Sequence, residues 1–275
     1  MIYRLTQMGK YLYLLIGSIL IIGPLYLSII NAMKTTQELS KSFFALPENL
    51  NFTNFIKVIN TSNYFQYLTN SLFITIIGVI LILIVAPLIS FSIARNMDKN
   101  KYYKFLFYFI LLGIFVPFQV KMVPIVKLLS DLGLMNHTGL ILLYVAGALT
   151  QDVFLLVGYI KTLPIEIEEA AEIDGCSRIQ TITKITYPLM KPILATIIIK
   201  DALWIWNDFQ MPLIVLSAAP DKWTLPMFVY NFQSTYSVDF TMAFAAFVLA
   251  LLPVLILYMI MRKRIMGGLT TGAVK

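Results

Sequence analysis

Cysteine and histidine are almost absent from these 275 residues, with one of each, Cys176 and His137. A lone cysteine excludes an internal disulfide, and a lone histidine cannot build a metal site, so none is expected. Charge is scarce too, at 13% of residues, about half of what a soluble domain carries. No GxxxxGK[ST] run occurs, and Gly9-Lys10 lacks the earlier glycine, so the chain is not expected to bind ATP itself. HExxH, a defensible serine–lysine pair on facing helices and a carboxylate pair at a known catalytic spacing are all missing, which argues against an enzyme. There are no low-complexity tracts and no internal repeat. The basic residues form no patch interleaved with aromatics, so a nucleic-acid partner is not expected.

Apolar sequence is what the chain has in abundance. Hydrophobic residues make up 59% and the mean hydropathy is +0.81, the composition of a membrane protein. A hydrocarbon core of about 30 Å needs roughly 20 apolar residues per helical span. Runs of that length lie at Tyr11 to Ile30, Leu72 to Ala94, Phe105 to about Ser130, Gly139 to Ile160, Lys191 to about Leu216 and Phe240 to Met261. The expected fold is an all-α membrane protein of six transmembrane helices. A barrel is excluded by the lack of alternating ten-residue segments. The first run is taken as an uncleaved span, since no small-residue cleavage site follows it.

Basic residues set the orientation. Arg4 and Lys10, the group Arg95, Lys99, Lys101 and Lys104, the group Lys161, Arg178, Lys184 and Lys191, and the closing Arg262, Lys263, Arg264 and Lys275 fall on one side. Only Lys34, Lys41, Lys57 and Lys222 fall in the opposite loops. The positive-inside rule then makes both termini cytoplasmic. The net charge of +7 reads as topology and attraction to anionic membrane lipid.

Three segments follow from this layout: residues 1–69, an N-terminal tail, first span and external loop; residues 70–262, a membrane domain with a cytoplasmic loop at 162–188; and residues 263–275, a cytoplasmic tail. In the long external loop, "FTNFIKVI" and "YFQYL" suit short amphipathic helices at the interface, either as anchors or as a docking surface. Two other external loops, about Asp131 to Thr138 and Ser217 to Asp239, are expected to be short. The second holds Trp223, Tyr230, Asn231, Gln233 and Tyr236. Aromatic faces beside amides suit a sugar, and membrane-interface belts use the same residues.

Polar residues inside the spans are the next signal. Gln119, Lys121, Asp152, Lys200, Asp201 and Asp208 all interrupt apolar runs. At 100° per residue, Lys200, Asp201, Trp204, Asn207, Asp208 and Met211 share one 120° arc of a continuous fifth helix. An unpaired charge at mid-membrane costs about 2.5–3.5 kcal/mol even on mild scales, so this arc is expected to face protein or water. It reads either as pathway lining or as charges pairing this helix with its neighbours. Prolines 87, 117, 124 and 253 read as fixed bends or as hinges.

The acidic run "LPIEIEEAAEIDGCSRI", Leu163 to Ile179, stands apart. Pro164 suits a first helical turn, and Glu166, Glu168 and Glu169 suit the positive end of a helix dipole. Gly175 suits a left-handed terminus, and Ser177 can cap a second helix running toward Pro188. Ala170 and Ala171 give a low-relief face, with Glu169 and Glu172 neighbouring each other. By its own physics this is either a solvated loop or a docking element.

The run "EAAEIDGCSRIQTITKITYP", Glu169 to Pro188, resembles the signature loop of permease subunits in binding-protein-dependent ABC importers. Cys176 stands where alanine is commoner. "YPLMKPILAT", "WIWNDFQMPL" and "GGLTTGAVK" resemble the sugar-importing branch, similar to the smaller permease of the maltose type. The resemblance implies a type-1 ABC importer transmembrane domain and a loop that couples to a cytoplasmic ATPase through Glu169, Ala170, Ala171, Glu172, Asp174 and Gly175. It also implies a homologous second permease, two ATPase copies that bind the ATP and magnesium, an external solute-binding protein and a carbohydrate substrate. Lys200, Asp201, Trp204, Asn207, Asp208 and Gln119 become candidate pathway lining, and Trp223, Tyr230, Asn231, Gln233 and Tyr236 a candidate contact for the binding protein. The rival is an ion-coupled secondary carrier using Asp201, Asp208 and Lys200.

Overall fold

The structure, a computed structural model, describes residues 2–61, 63–235 and 239–271. Every regular element among them is helical. In chain order these are α1 Ile2–Ala32, α2 Thr36–Lys41, α3 Thr53–Asn60, α4 Tyr64–Asn96, α5 Lys101–Phe115, α6 Phe118–Asp131 and α7 His137–Ile160. They continue with α8 Glu166–Ile173, α9 Arg178–Thr181, α10 Tyr187–Leu189, α11 Lys191–Asn207, α12 Gln210–Leu216, α13 Leu225–Thr235 and α14 Phe240–Thr271. A π turn, Ile182–Thr186, joins α9 to α10.

Four helices are long and apolar enough to cross a bilayer: α1, α4, α7 and α14. The third apolar run is bent by 105° between α5 and α6, where Pro117 caps α6. The fifth is divided rather than continuous. At 17 residues, α11 spans about 25 Å, and α12 adds a second piece after Asp208 and Phe209. Asp208 is extended (φ −71°, ψ 130°), and its carboxylate accepts the Gln210 N–H at 3.0 Å. Aspartate competes in this way for backbone donors and ends helices. Pro212, in the first turn of α12, forgoes an N–H that needs no helical partner there.

The chain falls into two compact units, Met1–Tyr67 with Leu225–Pro253, and Leu68–Thr224 with Val254–Lys275. In the first, the loop after α1 is tied down from within. Lys34, only 1% exposed, donates to Asn31 Oδ1 at 2.8 Å and to the carbonyls of Ser42 and Phe43. Asn54 of α3 donates to the carbonyls of Ala32 and Lys34. A buried ammonium is tolerated only with such partners. Thr35 and Glu38 form a capping box at α2. "FTNFIKVI" contributes α3, whereas "YFQYL" is no separate helix but the start of the 33-residue α4. Ser217 to Asp239 likewise contains the helix α13 rather than only loop.

The second unit centres on α7. About 44% of its most apolar window is buried within the chain, against 11% for α1. Leu140, Tyr144, Val153, Leu156 and Ile160 of α7 are fully covered, while α1 leaves side chains such as Tyr13 and Ile21 largely uncovered. Gly147 lets the Trp204 ring lie against α7, because a Cβ there would stand 3.0 Å from the indole.

Candidate functional site

The acidic loop folds as two short helices about a left-handed glycine. Gly175 has φ +86°, a conformation that penalises any Cβ. Ser177 starts α9 with a capping box to Gln180. Pro164 stands ahead of α8 rather than in its first turn, since Ile165 is the N-cap. The carboxylates of α8 then divide. Glu169, Glu172 and Asp174 face outward with Ala170 and Gly175. Ala171 does not, being 5% exposed and packed within the chain, so the low-relief outer face reduces to Ala170. Ile173, at the end of α8, and Ile179, on α9, are 86% and 74% exposed.

Glu168 turns inward. Arg95, in the last turn of α4, meets it with a fork: Nη2 to Oε1 at 2.7 Å and Nε to Oε2 at 3.0 Å. Nη2 also donates to the Leu163 carbonyl, and the Thr186 hydroxyl donates to Glu168 Oε1 at 3.4 Å. Both charged side chains are about nine-tenths covered. Removing one partner of such a pair costs about 3–5 kcal/mol, because the other is left buried and unmatched. This pair fastens α8 to α4. No local pattern marks it, since the partners are 73 residues apart.

A second polar cluster lines a cavity of about 310 Å3. Lys200 Nζ lies 2.7 Å from Asp152 and 2.7 Å from Asp201, both carboxylates being wholly buried. Tyr144, also buried, donates its hydroxyl to Asp208 at 2.9 Å and packs edge-on against Trp204. Lys121, Lys200, Asp201, Trp204, Asp208 and Met211 all reach the cavity wall. Although the continuous arc is broken at Asp208, the turn of chain there returns Asp208 and Met211 to the same space. Asn207 and Gln119 are not on that wall. Asn207 is exposed and its amide donates to the Leu203 carbonyl, and Gln119 faces outward. Asp152 is paired, one of the two readings open to a charge inside an apolar run, whereas Tyr144 is not among the residues singled out by sequence. An aspartate inside an apolar run was the available signal for the first, and nothing local marked the second.

The turn Pro220–Lys222 before α13 is held by its backbone. The Asn70 amide donates to the carbonyls of Asp221 and Trp223, and His137 Nε2 sits 2.8 Å from the carbonyl of Lys222. A carbonyl only accepts, so that nitrogen carries the proton. Trp223 is partly covered and Tyr230 is 54% exposed. The side chains of Asn231 and Gln233, and all of Tyr236, lie outside the described residues. No group of metal-ligating side chains occurs among the described residues.

Residues 86–268 match the family described as "binding-protein-dependent transport system inner membrane component". The chain belongs to this family. It is a multi-pass permease, not an enzyme. It is 40% identical over 273 residues to the multiple sugar-binding transport system permease protein MsmG of Streptococcus mutans, covering 99% of this chain and 98% of that one. It is 30% identical to the diacetylchitobiose uptake system permease protein NgcG of Streptomyces coelicolor, over 94% and 86% of the two chains. Its fold matches a bacterial ABC transporter involved in import of the acidic polysaccharide alginate, with a TM-score of 0.80 at 22% identity over 94% and 96% of the chains. Both the Arg95–Glu168 pair and the Lys200 cluster fall inside the stretch that matches the family.

Proposed function

We propose that this permease is one of two homologous membrane subunits of an ATP-driven carbohydrate importer in a prokaryotic plasma membrane, supplying half of the translocation pathway. Sugar as cargo is supported by the relatives, which include permeases for multiple sugars, arabinooligosaccharides and diacetylchitobiose. An external solute-binding protein delivers the sugar. Two copies of a cytoplasmic ATPase bind the ATP and magnesium, and this chain holds no cofactor. Taking α5 with α6 as one crossing and α11 with α12 as another brings the four long helices to six, with both termini cytoplasmic.

The observation that carries the coupling role is the outer surface of α8. Ile173 is an exposed apolar knob on the helix that carries exposed Glu169 and Glu172, with exposed Asp174 next to it in the chain and Ile179 exposed on α9. Apolar side chains so exposed on a polar loop mark a contact surface. Docked in a socket of the ATPase, that knob moves with nucleotide-driven closure. The Arg95–Glu168 fork delivers the motion to α4, and the cavity bearing Lys200, Asp201, Trp204 and Asp208 opens to substrate. Trp204 offers an indole face, 36% exposed, for stacking on a sugar ring beside polar groups that bind hydroxyls. Tyr230, half exposed on α13, contacts the binding protein.

Reconstitution tests the proposal. Uptake into proteoliposomes is expected to need the ATPase and ATP and no ion gradient. Uptake by this chain alone under a proton gradient would restore the secondary-carrier reading.

A further inference from the structure

Pro87 lies inside α4 and is buried. Proline has no N–H, so the carbonyl four residues earlier, that of Leu83, loses its helical donor. Another segment replaces it: the Tyr187 hydroxyl donates to the Leu83 carbonyl at 3.1 Å. Burial raises the Tyr187 phenol above its ordinary value, which keeps the donating, protonated form through the neutral range.

Tyr187 follows directly on the π turn Ile182–Thr186, and its own N–H bonds the Ile182 carbonyl. Such turns shift the facing of the residues after them and recur at functional sites. Here two successive side chains part: Thr186 reaches Glu168, and Tyr187 reaches Leu83. Glu168 is in turn held by Arg95, about two turns beyond Pro87. The loop that carries α8 therefore grips α4 on both sides of its proline. At that proline the helix lacks one rung of its ladder and bends most easily. The replacement donor belongs to another segment rather than to α4 itself, so the bond depends on where that loop sits.

We infer that Tyr187 is a positioning residue for transport: together with Glu168 it converts displacement of α8 into bending of α4 at Pro87. This rests on the reading of α8 as the ATPase contact. A rearranged hydrogen bond at a proline gives α4 two discrete arrangements, and the loop's position selects between them.

The test uses the assembled importer, with its second permease, ATPase and binding protein, carrying spin labels at the exposed positions Ile76 and Asp98 of the α4 region. The distance between the labels is measured without nucleotide and after trapping with ATP and vanadate. The wild type is expected to change by several ångström. Tyr187→Phe, which removes only the hydroxyl, is expected to cut that change to about half or less with the ATPase still bound. Pro87→Ala and, as a second variant, Pro87→Leu each give Leu83 an amide donor, so adding Tyr187→Phe to either is expected to change nothing further. An unchanged distance on trapping the wild type overturns the inference. So does a full change in Tyr187→Phe, or an equal loss in the Pro87→Ala background. Failure of the α8 reading shows separately, as an ATPase that stays bound to Glu169→Lys and Gly175→Val.

Discussion

Arg95 and Glu168 meet one to one, whereas elsewhere in the same unit Lys200 faces two carboxylates, Asp152 and Asp201. The first pair is balanced and planar, a guanidinium fork on one carboxylate, the geometry that fixes orientation best. The second sets a single ammonium against two carboxyl groups, both wholly buried. Balance makes each member of the first pair indispensable. Imbalance makes the members of the second unequal: the lysine is essential, and either acid is partly redundant.

Lys200→Met is the most damaging way to break this contrast. It strands two buried carboxylates and is expected to cost about 5 kcal/mol, measured as thermal unfolding of the purified permease or as loss of membrane-inserted protein. Glu168→Gln comes next, at about 3 kcal/mol, because Arg95 is left without its counter-ion. Replacing both partners, Arg95→Met with Glu168→Leu, is expected to recover much of that stability without restoring transport. Gly175→Val forces a branched side chain into a left-handed backbone for about 1–2 kcal/mol, and its main readout is ATPase lost on co-purification. Asp152→Asn sharpens the comparison most: it leaves Lys200 matched to Asp201 and is expected to fall within about 1 kcal/mol of wild type, well below Glu168→Gln.

The smallest effect concerns a partly exposed carboxylate, Glu38. Hydrogen bonds from the Thr35 backbone, then its side chain, and from the Glu48 backbone hold the Glu38 carboxyl below its ordinary range. Such a group contributes stability above the unfolded carboxylate pKa and loses it as pH falls through the lowered folded value. Glu38→Gln is expected to flatten that acid dependence, read from protection of the segment around α2 against proteolysis between neutral and acid pH.

Local chemistry was legible in the sequence, and long-range pairing was not. The turn at Gly175, the cap at Ser177 and the apolar runs of α1, α4, α7 and α14 follow from rules that act within a few residues. The interruption at Asp208 escaped because periodicity assumes one uninterrupted helix, and a single aspartate capturing the Gln210 amide ends it. Glu168 could not be told from Glu169 by composition, and only the approach of Arg95 from another helix separates the inward acid from its outward neighbour. Tyr187 is a similar case. Pro87 advertised a missing donor, yet nothing near it in the chain showed who would supply one.

The turn ahead of α13 is fastened through its main chain. Asn70 and His137 take hold of three successive main-chain oxygens, those of Asp221, Lys222 and Trp223. Their anchorage ignores side-chain identity. A side chain substituted on this turn therefore leaves these three main-chain anchors available.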